Sequence, residues 1–204
     1  MTLPPVFIAT GAYSVGKTTT LRWLSEHRGV TVHAEAHPQA VAALGERSLG
    51  HPPGQPFSRI DDPAHFCPAC HPRAFCDQVV ALQHRIEAAA SPWDLLERGV
   101  YDPVEFCLRL GGAPASAIED EACLDPAWRP LRPYARVFLF EVMPELQQPK
   151  WGRTADARVA EALMIEGRLE RIYATRGYDI VRIAPGRVEE RAARVLDVIA
   201  GTRA

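Results

Sequence analysis

The chain has 204 residues, 47% of them hydrophobic and 24% charged, an ordinary globular composition that disfavours disorder and fibrous architecture. Its 23 Lys and Arg against 25 Asp and Glu leave a formal charge of -2, so a general nucleic-acid coat is not expected and any basic surface must be local. No apolar run approaches the roughly 20 residues of a membrane span. The opening MTLPPVFIATGAYSVGK lacks the basic n-region and small-residue cleavage site of a secretory signal. Five cysteines, three of them clustered, favour a reduced, cytoplasmic protein over a secreted disulfide scaffold. At this length roughly 70% of the unfolded chain's surface can be buried, and a single domain over residues 1–204 is expected.

Residues 6–10 are a short apolar run between Pro5 and Gly11, predicting a buried strand. Over residues 17–27, Leu21 and Leu24 share one side and Gly29 closes the segment as a helix stop. Residues 30–34 predict a second strand, with Pro38 opening a helix to about Leu44. Glycines and prolines then break every period from residue 45 to about 75, so an irregular insertion is expected. A loop of that length is usually functional, disordered or held by something. Helical spacing returns over residues 74–90, followed by a third strand at 93–97 and a short helix at 103–110. Residues 113–133 are Pro-interrupted. Residues 136–141 form the clearest buried strand, 155–175 a long helix closed by Gly177, 178–183 the last strand and 188–199 the last helix. Trp93, Phe138, Phe140 and Tyr178 read as core. Strands alternating with helices predict an α/β domain with a mostly parallel sheet, helices on both faces and ligands at the carboxyl ends of the strands.

Gly11-Ala12-Tyr13-Ser14-Val15-Gly16-Lys17-Thr18 fits G-x-x-x-x-G-K-[ST] in full, with a strand before it and a helix after. The glycines let successive backbone N–H groups turn inward on phosphate oxygens, and the helix N-terminus adds its positive end. Lys17 supplies a point charge for the β- and γ-phosphates, the Thr18 hydroxyl suits Mg²⁺, and Thr19 continues the cradle into the helix. These residues predict a nucleoside triphosphate site.

Glu35, Glu97 and Glu141 each follow an apolar run, which in a parallel sheet places them near the phosphate edge. Glu35 is placed to accept a proton from an incoming hydroxyl. Glu97-Arg98 couples a carboxylate for metal or water with a guanidinium that grips phosphate. Glu141 is an alternative Mg²⁺-side acid, and the sequence does not choose among the three. His33 reads as a satisfied core histidine, whereas His37 suits either substrate contact or capping.

In the insertion, Cys67-x-x-Cys70 has zinc-knuckle spacing, with Cys76 at the following helix start and His71 or His65 as a fourth ligand. A structural Zn²⁺ would order a loop that gains little from burial. A redox pair and simply packed thiols are the two competing readings of the same cysteines. Cys107 and Cys123 read as ordinary residues.

The segments GAYSVGKTTTLRWL, VHAEAHPQAV, LLERGVYDPVEFCLRLGG, VFLFEVMPE, GRTADAR and ATRGYDIVRIAPGRVEERAARVLDVI resemble, in order and spacing, one set of P-loop proteins. These are grouped around the ribosylnicotinamide kinase domain of bacterial NAD-biosynthesis regulators, an AAA-labelled but kinase-like set. The Glu-Arg pair also resembles a motif of deoxynucleoside kinases. The resemblance covers most of the chain outside residues 45–75 and 113–133. It implies a P-loop NTPase three-layer sandwich whose five-stranded sheet has the order 2-3-1-4-5, and Mg²⁺-dependent phosphoryl transfer to a small hydroxylated acceptor such as a nucleoside. Carried over, Glu35 matches the candidate base, and Glu97-Arg98 matches the family's Asp-Arg pair with a longer acidic arm. Asp102 matches a partner of the substrate hydroxyl, and Arg153 a lid arginine. Arg158 reads instead as a surface arginine on a solvated helix. Guanine-specific switch proteins usually carry an Asn-Lys-x-Asp run, which this sequence lacks, so ATP is expected with GTP left open. The rival expectation is a regulatory nucleotide-hydrolysing switch or nucleotide-dependent binding module.

Overall fold

The computed structural model describes residues 3–37, 72–110, 126–150 and 152–203. In chain order the regular elements are β1 (Val6–Gly11), α1 (Lys17–Arg28), β2 (Val32–His33), α2 (Pro72–Ala89) and β3 (Leu95–Glu97). They continue with α3 (Tyr101–Leu110), β4 (Tyr134–Phe140), α4 (Ala155–Thr175), β5 (Ile180–Ile183) and α5 (Val188–Arg203). The sheet is parallel throughout, ordered β2-β3-β1-β4-β5, as the resemblance implies.

β1 is central because its sequence VFIATG has no solvent side, and all six residues are buried. A parallel strand covered on both faces reads as a continuous apolar run. Its Phe7 pairs in register with Leu95 of β3 and Arg136 of β4. A bulge shifts the β1–β4 register between Val6 and Phe7. The extra residue sends Tyr134 toward Tyr173 of α4, whereas Phe140, further along β4, lies under Arg191 of α5. α1 packs with α5, α4 crosses β1, β4 and β5, and α3 bridges α4 to α2.

β2, β3 and β5 are shorter than the sequence predicts, whereas β1 and β4 run slightly longer. Trp93 is not in a strand: it sits at φ 68 in a turn, where the Asp94 carboxylate accepts the Ser91 N–H at 2.8 Å. The turn uses up two residues of the apolar run, so β3 starts at Leu95. His33, expected as a satisfied histidine, pairs with that same carboxylate at 2.8 Å. Phe138 and Phe140 are fully buried, as expected. The helix expected from Pro38 and the insertion up to residue 71 lie outside the described residues. No helix among the described residues is long and apolar enough to cross a membrane.

Gly11 ends β1 at φ 142, and a Cβ there would stand 2.6 Å from the carbonyl oxygen of Phe140 on the neighbouring strand. Both the backbone angle and the space demand glycine. Gly11→Ala should therefore lower unfolding stability by about 1–3 kcal/mol, measured by urea denaturation.

Candidate active site

Three neighbouring strands end at one edge, and each delivers a polar group there. β1 runs into Gly11, beyond which Ser14 (φ 52) and Gly16 (φ 69) turn the loop back on itself and α1 starts at Lys17. Alternating left-handed residues of this kind aim backbone N–H groups into a common concavity. Ala12 and Val15 anchor the loop in the core at 2% and 1% exposure. The Gln147 amide, just past β4, donates to the carbonyls of Tyr13 and Ser14 at 3.2 and 2.9 Å and so fixes the loop's outer rim.

Lys17 is buried, and its ammonium donates to Glu97 Oε1 at 2.9 Å. The exposed Thr18 donates its hydroxyl to the same oxygen. Burial pushes the Lys17 pKa down, the nearby Arg98 charge adds to this, and Glu97 opposes it. Glu97 reaches this position because β3 pairs Ala9 with Glu97 in register.

Arg98 then leaves the strand at φ 74. That left-handed turn swings its guanidinium across the sheet edge. It donates to Glu35 Oε1 at 2.6 Å, to the Gly11 carbonyl at 3.0 Å and to Asp102 Oδ1 at 2.9 Å. Burial on its own raises the Glu35 pKa, but the Arg98 guanidinium and Lys17 ammonium hold it below the usual carboxylate range. The Arg98 pKa is raised, its two carboxylates outweighing burial. Asp102 is 4% exposed and takes four donors: the Thr10 hydroxyl, Arg98, the Tyr173 hydroxyl and the Gly99 N–H. With both oxygens engaged, it orients Arg98. Beside Glu35, His37 lies edge-on to Phe75 and Phe106 with its Nε2 unpartnered among the described residues, and burial pushes its pKa down.

A second cluster faces the loop from α4. Thr154 caps that helix by accepting the Ala157 N–H. Glu161 accepts from Tyr13 of the P-loop at 2.6 Å, from Arg153, and from Arg109 of α3 at 3.2 Å. The Tyr13 hydroxyl is pushed up to about 12 by burial and by Glu161. Arg158 corrects the sequence reading. It is 3% exposed, and its guanidinium lies over the Tyr13 ring at 4.5 Å.

The structure thus gathers Gly11–Thr18, Glu35, Glu97, Arg98 and Asp102 at one edge. Arg153, half exposed, is held by Glu161 at the mouth. Glu141 sits elsewhere, paired with Arg182 at 2.6 Å. Cys67, Cys70 and His71 lie outside the described residues. Cys76 is not at the helix start: α2 begins earlier, at Pro72, and buries the thiol fully, with Sγ donating to the Pro103 carbonyl at 3.9 Å. Among the described residues no group of three His, Cys, Asp or Glu could hold a metal ion. Gln147, Thr10, Tyr173 and Glu161 carry no motif that would have marked them in the sequence.

A family model described as an AAA domain matches residues 6–191. The chain belongs to that family. No curated protein matches it. Among solved structures, shikimate kinase from Acinetobacter baumannii in complex with shikimate is similar at TM-score 0.52 and 14% identity, over 98% of this chain and 94% of that one. Thymidylate kinase from Ehrlichia chaffeensis gives 0.54 and 13%, over 97% and 99%. Thymidylate kinase from Candida albicans gives 0.53 and 11%, over 100% and 94%. These likenesses establish the P-loop NTPase fold of this AAA-family chain.

The depressed Glu35 pKa ties the site to stability. The pair with Arg98 is fully formed above the usual carboxylate pKa of 4.5 and is lost as pH falls through the lower folded value. At pH 7, Glu35→Gln should be about 1–3 kcal/mol less stable than the wild type. That gap should close progressively in acid, as read by thermal unfolding across pH.

Proposed function

We propose that this chain transfers the γ-phosphoryl group of a nucleoside triphosphate, ATP in the first instance, to a hydroxyl of a small acceptor. The observation that carries the reading is the ionised Glu35 carboxylate, set beside the phosphate cradle by Arg98. A site built only to hold nucleotide has no need of that second carboxylate.

In this reading the inward amides of residues 11–18 and the Lys17 ammonium hold the β- and γ-phosphates. Thr18 and Glu97 offer hard oxygen donors side by side, which fits Mg²⁺; that ion usually retains waters and takes few protein ligands. When bound, Mg²⁺ neutralises charge on the phosphate oxygens. The Lys17 ammonium, bound to Glu97 Oε1 at 2.9 Å, holds that carboxylate beside Thr18. The acceptor hydroxyl oxygen forms a bond to the γ-phosphorus as the bond to the β-bridging oxygen breaks, and the hydroxyl proton passes to Glu35. A low Glu35 pKa suits this step. In a loose transition state the nucleophile loses its proton late, so an ionised, well-aimed acceptor serves better than a strong base. Arg153, just before α4, and Arg158, in its first turn, face the equatorial oxygens. Arg153 must leave Glu161 to reach them.

Lys17→Ala should reduce turnover at least ~10²-fold while circular dichroism shows the fold retained. Glu35→Gln should lower kcat by about 10²–10⁴-fold with nucleotide affinity changed only a few-fold. Equal losses in kcat and affinity would make Glu35 a scaffold residue. The decisive assay is ATP consumption by the wild type with and without a panel of nucleosides and small alcohols. Strong dependence on one acceptor supports the transferase. Slow hydrolysis indifferent to every acceptor would replace it with a nucleotide-hydrolysing switch.

A further inference from the structure

A cation with no oxygen partner among the described residues is buried against the P-loop. Arg191, in the first turn of α5, is 3% exposed. Its guanidinium lies over the Phe140 ring at 4.7 Å, and one terminal nitrogen, Nη1, donates to Met143 Sδ at 3.1 Å. Nη1 also abuts the loop, since a Cβ on Gly16 would stand 2.6 Å from it. The other two nitrogens, Nε and Nη2, are buried and have no hydrogen-bond partner among the described residues.

This arrangement is electrostatically incomplete. Arginine does not shed its charge in a protein, and burial here only weakens its hold on the proton. A ring face and a thioether are poor replacements for hydration. Glu145 is the acid whose charge bears on Arg191, but it is exposed and makes no hydrogen bond to the guanidinium. Buried guanidinium groups are ordinarily matched by carboxylate or phosphate oxygens. The feature that lets this one approach the loop is the missing side chain of Gly16. Gly16 thus serves two purposes, the left-handed turn of the cradle and the contact with Arg191.

We propose that Arg191 is an electrostatic anchor for the phosphate chain of the nucleotide, acting across Gly16. The assignment rests on the reading of residues 11–18 as a triphosphate site. In the low dielectric behind the loop its attraction for an anion is weakly screened, so the contribution grows with phosphate charge. The same cation burdens the nucleotide-free protein. Affinity and stability are therefore opposed at this residue, a signature that ordinary packing does not produce.

The test uses the full chain with Arg191→Met and Arg191→Lys, titrated with ATP and AMP by calorimetry and melted without nucleotide. Arg191→Gln serves as the neutral variant if the Met variant does not fold. The neutral variant should bind ATP about 10–100-fold more weakly, AMP less than about 3-fold more weakly, and melt at the same or a higher temperature than the wild type. Lys should recover part of the ATP affinity. Unchanged ATP affinity in the neutral variant would overturn the assignment while leaving the triphosphate reading intact. Equal losses for ATP and AMP together with a lower melting temperature would also overturn it, making Arg191 a packing residue. A wild type that ignores triphosphates would sink the proposed function, and this inference with it.

Discussion

Arg98 is the contact on which the carboxyl edge of the sheet depends. Its strand, β3, lies between β2 and β1, and its left-handed backbone lets one guanidinium hold both neighbours at once: Glu35 beyond β2 and the Gly11 carbonyl at the end of β1. Asp102 fixes the remaining direction from the start of α3. A lysine could not do this, because an ammonium lacks the planar fork that meets several acceptors at fixed angles. The Asp102 shell extends the constraint into the core. Thr10 and Tyr173 both donate to Asp102, so the position of Arg98 is tied to the central strand and to the long helix α4. Geometry at the edge is thus inherited from buried, fully satisfied hydrogen bonds, and little of it is left to loops.

Charge balance explains why so many arginines surround the site. Without nucleotide, Glu35, Glu97 and Asp102 face Lys17 and Arg98, so the centre is slightly acidic and self-contained. A triphosphate brings several more negative charges. In the proposed transfer, part of that charge falls to the arginines around the loop. Arg153 rests on Glu161, Arg158 on the Tyr13 ring and Arg191 on the Phe140 ring. Aromatic faces hold a guanidinium without neutralising it. Glu161 also links Tyr13 of the loop to Arg109 of α3, so the nucleotide side and the α3 side share one carboxylate.

What the sequence discloses follows the range of each interaction. The P-loop is contiguous, and its chemistry is written in eight successive residues, Gly11 to Thr18. Glu35, Glu97 and Arg98 are legible because each ends an apolar run, and parallel strands bring such ends together. Asp102 is legible as a site residue, but its four donors come from residues 10, 98, 99 and 173. No local pattern announces that convergence. Trp93 misleads because an apolar run does not record where a side-chain-closed turn interrupts it. Arg158 misleads for a related reason. Helical spacing assigns a face, but only the docking of Tyr13 decides that this face is covered.

Arg191 and Arg158 mark the point where sequence patterning gives way to physics. A polar residue on an amphipathic helix is assigned to solvent by default, and both would be exposed on an isolated helix. Both are buried because the P-loop occupies the space above them, and the loop has its shape because Ser14 and Gly16 adopt left-handed angles. The burial therefore follows from the phosphate cradle. A fold selected for stability alone would place methionine or leucine beneath such a loop, at no electrostatic cost. Arg158 meets part of that cost with the Ser14 hydroxyl and the Tyr13 ring, whereas Arg191 has no oxygen partner among the described residues, and that difference is why a polyanion is proposed as its partner.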